Sequence, residues 1–247
     1  MEPSPEGPQP HEHTRRHLLA ISAPFERWFL PWMARRLPRW VTPDGLTSAA
    51  LLSAVGVMVC YVLSGTHRSW LWGASLGLVL HWYFDSLDGT LARVRHIERP
   101  DYGYYVDHMA DVFASLAILV GLGATPWMNL STALFVLAGY LAMSVHTHVY
   151  AHLTGVFQMG KGGLGPTEVR LILILSNTAV WIWPALEVPL GPLGSAPLYE
   201  FIGWCAVVLF AFMLGAHAIP AMRELGEKDP PRKLPGSQRE DRSGGQT

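Results

Sequence analysis

The chain has 247 residues, half of them hydrophobic and only 15% charged, with ten tryptophans and a mean hydropathy of +0.22. Several long apolar runs with so few charges argue against a soluble domain and for an all-α, polytopic membrane protein. The formal net charge of −1 says little by itself, and no nucleic-acid partner is expected.

Residues 1–13, MEPSPEGPQPHEH, are Pro-rich and polar and are expected to form a disordered tail. No apolar core of signal-peptide type follows, so no cleavage is expected. Residues 14–40 mix Arg15, Arg16, Arg27, Arg35, Arg36 and Arg39 with Leu18, Phe25, Trp28, Phe29 and Trp32. That pattern predicts an amphipathic interfacial helix in the headgroup layer, the alternative being a soluble cap on the bundle. Thr42 and Asp44 are then cap candidates and Pro43 a helix starter.

One domain over 41–222 is predicted to hold six transmembrane helices, at about 45–65, 69–96, 102–124, 127–151, 166–188 and 197–219. Trp70 and Trp72 mark an interface at the start of the second, Pro100 breaks the chain before the third, and the sixth ends near Pro220. His148 and His152 share a face at the end of the fourth and are read as interfacial residues rather than metal ligands. The loop 153–165 is glycine-rich but lacks the spacing of a Walker P-loop. Cys60 and Cys205 lie in apolar runs without metal or redox spacing and are expected to be buried packing residues. Residues 223–247 are read as a second disordered tail.

Orientation follows from charge. With six spans, only Arg68 of the 18 Lys and Arg falls on the side opposite the termini. Positive charge collects on the cytoplasmic side, so both termini are expected there.

The stretch 85–111, DSLDGTLARVRHIERPDYGYYVDHMAD, breaks the apolar pattern. An aspartate near the centre of a bilayer costs about 2.5–3.5 kcal/mol on insertion scales, and four together also repel one another. Asp85 and Asp88 are three apart and Asp107 and Asp111 four apart, so each pair projects from one helix face. Two helices side by side would hold all four around one cleft, where a hard divalent cation satisfies carboxylates while keeping waters or phosphates as further ligands. Gly89, Ala92 and Gly103 extend the acidic stripes with positions lacking bulk, and Arg93 is placed to meet phosphate oxygens. A cation channel or transporter is a competing reading, because intramembrane acids often mark ion paths, but these acids gather at one end of the bundle.

The run Asp85-x-x-Asp88-Gly89-x-x-Ala92-Arg93, nine residues, then Gly103-x-x-x-Asp107-x-x-x-Asp111 resembles the signature of the CDP-alcohol phosphotransferase family. Its linker is one residue longer than the usual one, in the turn before Pro100. The resemblance implies a membrane enzyme of phospholipid synthesis. It would transfer a phospho-alcohol group from a CDP-alcohol to a hydroxyl acceptor, releasing CMP, with Mg²⁺ or Mn²⁺, two ions, as cofactor. By the same resemblance Asp85, Asp88 and Asp107 are metal ligands and Asp111 a ligand or the general base. Gly89, Ala92 and Gly103 make room for the cytidine moiety, and Arg93 supports the site by charge.

His108 in the DHMAD segment is the other candidate base, since histidine accepts protons near neutral pH; it could equally point into packing. The Asp-His-x-x-Asp pattern and GPTEVR at 165–170 are similar to the choline/ethanolamine phosphotransferase branch. That likeness implies phosphocholine or phosphoethanolamine passing from a CDP-amino alcohol to diacylglycerol, with Glu168 either pairing with the cationic head or serving as a first-turn helix residue. The alternative is a phosphatidyltransferase acting on CDP-diacylglycerol and a polar alcohol, for which Lys161 and Arg170 are the cations available to a phosphorylated acceptor. Membrane lipids are the expected surroundings, and a homodimer is the assembly that the resemblance allows.

Overall fold

A computed structural model describes residues 23–154 and 166–230. Those residues form helices α1 (Ala23–Ala34), α2 (Pro43–Ser64), α3 (Trp70–Arg95), α4 (Pro100–Gly123), α5 (Leu130–Thr154), α6 (Pro166–Ile182) and α7 (Leu198–Lys228). A small antiparallel hairpin, β1 (Glu187–Pro189) and β2 (Ser195–Pro197), joins the last two helices. The tail expected at 1–13, residues 231–247 of the tail expected at 223–247, residues 14–22 of the expected interfacial helix, and Lys161 all lie outside the described residues, while residues 223–228, expected as tail, are the last turns of α7.

α2, α4, α5 and α7 are long and apolar enough to cross a membrane. α6 is shorter, with 17 residues, and α3 is diluted by Trp70, Trp72, His81 and Trp82 as well as its charges. Large apolar side chains face outward along the bundle, among them Leu52, Val55, Phe113, Phe135, Val208 and Phe212. A soluble monomer rarely exposes so much contiguous apolar surface, whereas a bilayer solvates it. The chain is therefore an integral membrane protein.

Local signals place several boundaries. Thr42 caps α2 through its side-chain oxygen, which accepts from the Gly45 N–H at 3.1 Å, and Pro43 and Pro100 occupy the first turns of α2 and α4. α3 ends at His96, whose φ of 56° is left-handed, with the Ile97 N–H returning to the Ala92 carbonyl. Other boundaries differ from expectation. α6 stops at Ile182, because Pro184, Pro189 and Pro192 and the positive-φ Gly191 and Gly194 favour a hairpin over continued helix. α7 runs through Pro220 to Lys228, where a Glu224–Lys228 pair and a Tyr150–Glu224 hydrogen bond support its last turns. α1 is confined to residues 23–34 among those described. Cys205 is exposed rather than buried, while Cys60 is half-buried.

α2 is the centre of the packing and meets both α3 and α4. The approach is close enough that a Cβ on Gly121 of α4 would lie 2.7 Å from the Met58 Cα. α3 pairs with α6, α4 with α5, and α5 with α7. Deep in the bundle the Asn177 amide donates to Ser75 Oγ at 3.0 Å, and the Tyr199 hydroxyl donates to Asn177. This fastens α3, α6 and α7 with polar bonds where no water competes. At the end carrying the start of α5, Glu200 accepts from the Asn129 N–H and the Thr132 hydroxyl, which puts a carboxylate at the N-terminus of that helix.

Candidate functional site

Five helices bring their ends together at one side of the bundle. α3 supplies its last turns and α4 its first, joined by residues 96–99, so Asp85 and Asp88 share an end with Asp107 and Asp111. The two helices do not lie flank to flank as the sequence suggested. Each packs on α2, and any direct contact between them is slight. The acidic stripes are therefore separated by a gap rather than joined along a helix–helix seam.

Each acid has a defined setting. Asp85 is bound by Arg170 on the second turn of α6, with Nη2 2.8 Å from Oδ2 and both side chains mostly buried. Asp88 is buried; it accepts from the Thr47 hydroxyl of α2 at 2.6 Å and from the Gly89 N–H at 2.5 Å. Asp107 is half-buried, with one oxygen 3.9 Å from His108 Nδ1. Asp111 sits in the field of the other three aspartates and of Arg170. On α5, Tyr140 hydrogen-bonds Ser115 and is close enough to Asp111 to feel its charge.

His108 does not simply turn into packing. Its Nδ1 lies 2.6 Å from the Tyr104 carbonyl oxygen, which can only accept, so Nδ1 carries the proton and Nε2 is left with its lone pair. His148 of α5 makes the same bond to the Ser144 carbonyl, and the two imidazoles meet edge to face with centroids 4.5 Å apart. Tyr104 completes this small aromatic wall.

The remaining predicted residues are spread around the gap. A Cβ on Gly103 would meet nothing within 4 Å, whereas one on Gly89 would come 3.4 Å from Arg93 Nη1. Ala92 is half-buried. Arg93 is exposed and folded back on its own helix, donating to Thr90 Oγ1 at 3.1 Å. Glu168 is in the first turn of α6 with its Oε1 buried.

Among the described residues, no three His, Cys, Asp or Glu side chains converge on one point as a metal centre does. The reason lies in the bonds just described: Arg170 holds Asp85, while Thr47 and the Gly89 N–H hold Asp88. The donor chemistry nevertheless fits a hard cation, because four carboxylates share one end of the bundle and Asp111 lies in the field of the other three.

Sequence reading passed over Thr47, Tyr140 and His81. Thr47 looks like a first-turn residue of α2, and its partner Asp88 is 41 positions away. His81 is 3% exposed, one turn before Asp85, and within the fields of both Arg170 and Asp85. Nothing local to any of the three distinguishes it from a packing residue.

Comparison with known proteins gives the family. The pattern of the CDP-alcohol phosphatidyltransferase family matches residues 40–214. Cholinephosphotransferase 1 of Gallus gallus is 25% identical over 177 residues, covering 63% of this chain and 51% of that protein. The Danio rerio cholinephosphotransferase 1 is 26% identical over 191 residues, 70% of this chain and 48% of that one. Phosphatidylinositol phosphate synthase of Cutibacterium acnes is 27% identical over 175 residues, covering 68% of this chain and 75% of that enzyme. The chain thus spans about half the length of the cholinephosphotransferases it matches.

Proposed function

The chain belongs to the CDP-alcohol phosphatidyltransferase family, and from that membership we propose that it transfers a phospho-alcohol group from a CDP-alcohol to a hydroxyl acceptor with release of CMP. The observation that carries the reading is the facing of Asp85 and Asp88 on α3 against Asp107 and Asp111 on α4, at one end of an apolar bundle. A diphosphate needs its charge neutralised before a hydroxyl can attack the β-phosphorus and CMP can leave.

In this reading Asp85, Asp88, Asp107 and Asp111 hold Mg²⁺ or Mn²⁺, two ions, which when bound neutralise the diphosphate and the charge that develops on the leaving phosphate. Thr47 orients Asp88 through its 2.6 Å bond, as partners behind metal-bound carboxylates do. Arg170 holds Asp85 and supplies a fixed positive charge beside the phosphates. His108 takes the proton of the attacking hydroxyl on Nε2 while the Tyr104 carbonyl fixes its tautomer. Gly89, Ala92 and Gly103 admit the cytidine moiety, and Arg93 swings from Thr90 to meet it.

The donor is a CDP-amino alcohol, carrying phosphocholine or phosphoethanolamine, and the acceptor is diacylglycerol. Three cholinephosphotransferase relatives support this choice. Glu168 at the start of α6 meets the cationic head. The second reading, a phosphatidyltransferase using CDP-diacylglycerol and inositol phosphate, glycerol phosphate or serine, draws on the synthase relative, which the match covers more fully. There Lys161 would join Arg170 at the acceptor.

In the membrane, α3 and α6 complete six spans with α2, α4, α5 and α7. α1 lies at the surface with Trp28 and Trp32 outward, and the termini and site face the cytoplasm. The six-span domain covers 41–222 and forms one protomer of a homodimer in this reading. Purified protein in lipid with Mg²⁺ should form phosphatidylcholine or phosphatidylethanolamine from the CDP-amino alcohol and diacylglycerol. Product only from CDP-diacylglycerol and a polar alcohol would establish the second reading instead.

A further inference from the structure

Glu26 of α1 makes an unusual pair of bonds. A single oxygen, Oε1, accepts from the Trp82 indole N–H of α3 at 3.2 Å and from the Thr167 hydroxyl of α6 at 3.1 Å. Trp82 is three residues before Asp85, and Thr167 is three before Arg170. Three positions is close to one helical turn, so the next residues on the same faces are the two that form the 2.8 Å ion pair.

We propose that Glu26 is a positioning residue for the acidic site: it fixes the register of α6 against α3 one turn from the Arg170–Asp85 pair, and so sets where Arg170 stands. The inference rests on the transferase reading for its effect on turnover, but its geometric content does not depend on it. α1 packs on α3 and makes at most slight contact with α6, so the Thr167 bond reaches a helix that α1 otherwise barely touches. Leu30 and Ala34, one and two turns further along α1, are buried with Leu46 of α2 and Leu87 and Leu91 of α3. That apolar seat holds Glu26 from behind. Further along, α3 and α6 are fastened by Ser75–Asn177 and by the edge-to-face contact of Trp72 with Trp181. Removing the Glu26 bonds therefore leaves the Arg170–Asp85 pair itself as the tie at the site end, while the far end stays fixed.

The shared acceptor gives the test its control. Gln at position 26 keeps a carbonyl oxygen for both donors and loses only the charge, whereas Ala removes the acceptor. In full-length protein with Cys60→Ala and Cys205→Ala, spin labels are placed at the exposed Leu80 of α3 and Leu171 of α6, and their distance distribution is measured in lipid for wild type, Glu26→Ala and Glu26→Gln. KM and kcat for the CDP-alcohol are measured on the same variants without labels. Glu26→Ala should broaden the distribution and raise KM about tenfold, the size of one or two lost hydrogen bonds, with a smaller change in kcat. Glu26→Gln should resemble wild type in both, and Thr167→Val should give part of the alanine effect. An unchanged distance in Glu26→Ala, or equal defects in the Ala and Gln variants, overturns the proposal. If wild type releases no CMP from any CDP-alcohol, the transferase reading falls, while the distance measurement still decides whether Glu26 sets the register.

Discussion

Arg170 and Asp85 are 85 positions apart in the chain and 2.8 Å apart in the fold, and their ion pair joins the second turn of α6 to the acidic end of α3. Both side chains are largely shielded from water, so the pair is stronger than an exposed one, and losing either partner strands a charge. Arg170→Ala should lower CMP release at least about tenfold and destabilise the fold, because Asp85 is left uncompensated. Arg170→Lys should retain stability better than activity, since a lysine keeps the charge but not the planar fork. Thermal unfolding and turnover measured on the same samples separate the two effects.

Thr47 links α2 to Asp88 by one short hydrogen bond. Thr47→Val keeps the shape and removes the donor, and should cost about 10–100-fold in activity or metal affinity, the usual effect of losing a partner behind a metal-bound carboxylate. Titration of activity with Mg²⁺ should move to higher concentration in this variant. An unshifted curve removes Thr47 from the site.

His108→Gln should reduce kcat by about 10²–10⁴-fold while leaving donor binding little changed, the expected cost of losing a general base. His148→Phe keeps the edge-to-face packing on His108 and should reduce activity far less. Equal losses in both variants would show that His108 does not act alone as the base, because packing is kept in His148→Phe.

At the opposite end of the bundle, Glu200 accepts hydrogen bonds from Asn129 and Thr132 at the start of α5. Glu200→Ala should destabilise the protein by about 1–2 kcal/mol, through lost hydrogen bonds and a lost charge at a helix N-terminus, without altering KM. Thermal denaturation beside low-temperature kinetics checks this.

Much of the architecture was legible because its signals are local. Thr42 and Pro43 start α2 where a cap and a first-turn proline should, and Pro100 opens α4. The apolar runs located α2 to α7, while the basic, aromatic-rich pattern of residues 14–40 overlaps α1. The hairpin after α6 was missed because its apolar residues read as the end of a span, although Pro184, Pro189, Gly191, Pro192 and Gly194 carry the turn signal. The passage of α7 through Pro220 was hidden for a different reason: its last turns depend on Tyr150, a residue of another helix.

For the site, spacing along one helix placed each pair of aspartates on a common face, but spacing cannot say what lies between two helices. That α3 and α4 each lean on α2 rather than on each other is a tertiary fact. So are the partners Thr47 and Arg170, which come from elements far away in the chain. Arg170, by sequence a cation available to a phosphorylated acceptor, is paired with Asp85 in the fold.

The central claim, that these four aspartates serve phospho-alcohol transfer, is tested most directly by CMP release from purified protein in lipid. Wild type, Asp107→Asn and Asp111→Asn would be compared with CDP-choline or CDP-ethanolamine plus diacylglycerol, and with CDP-diacylglycerol plus polar alcohols, each with Mg²⁺ and after chelation. The account predicts metal-dependent release by wild type with one donor class, and a fall of at least about 100-fold in both folded variants. Full release by either folded asparagine variant, or release that chelation leaves untouched, would contradict it.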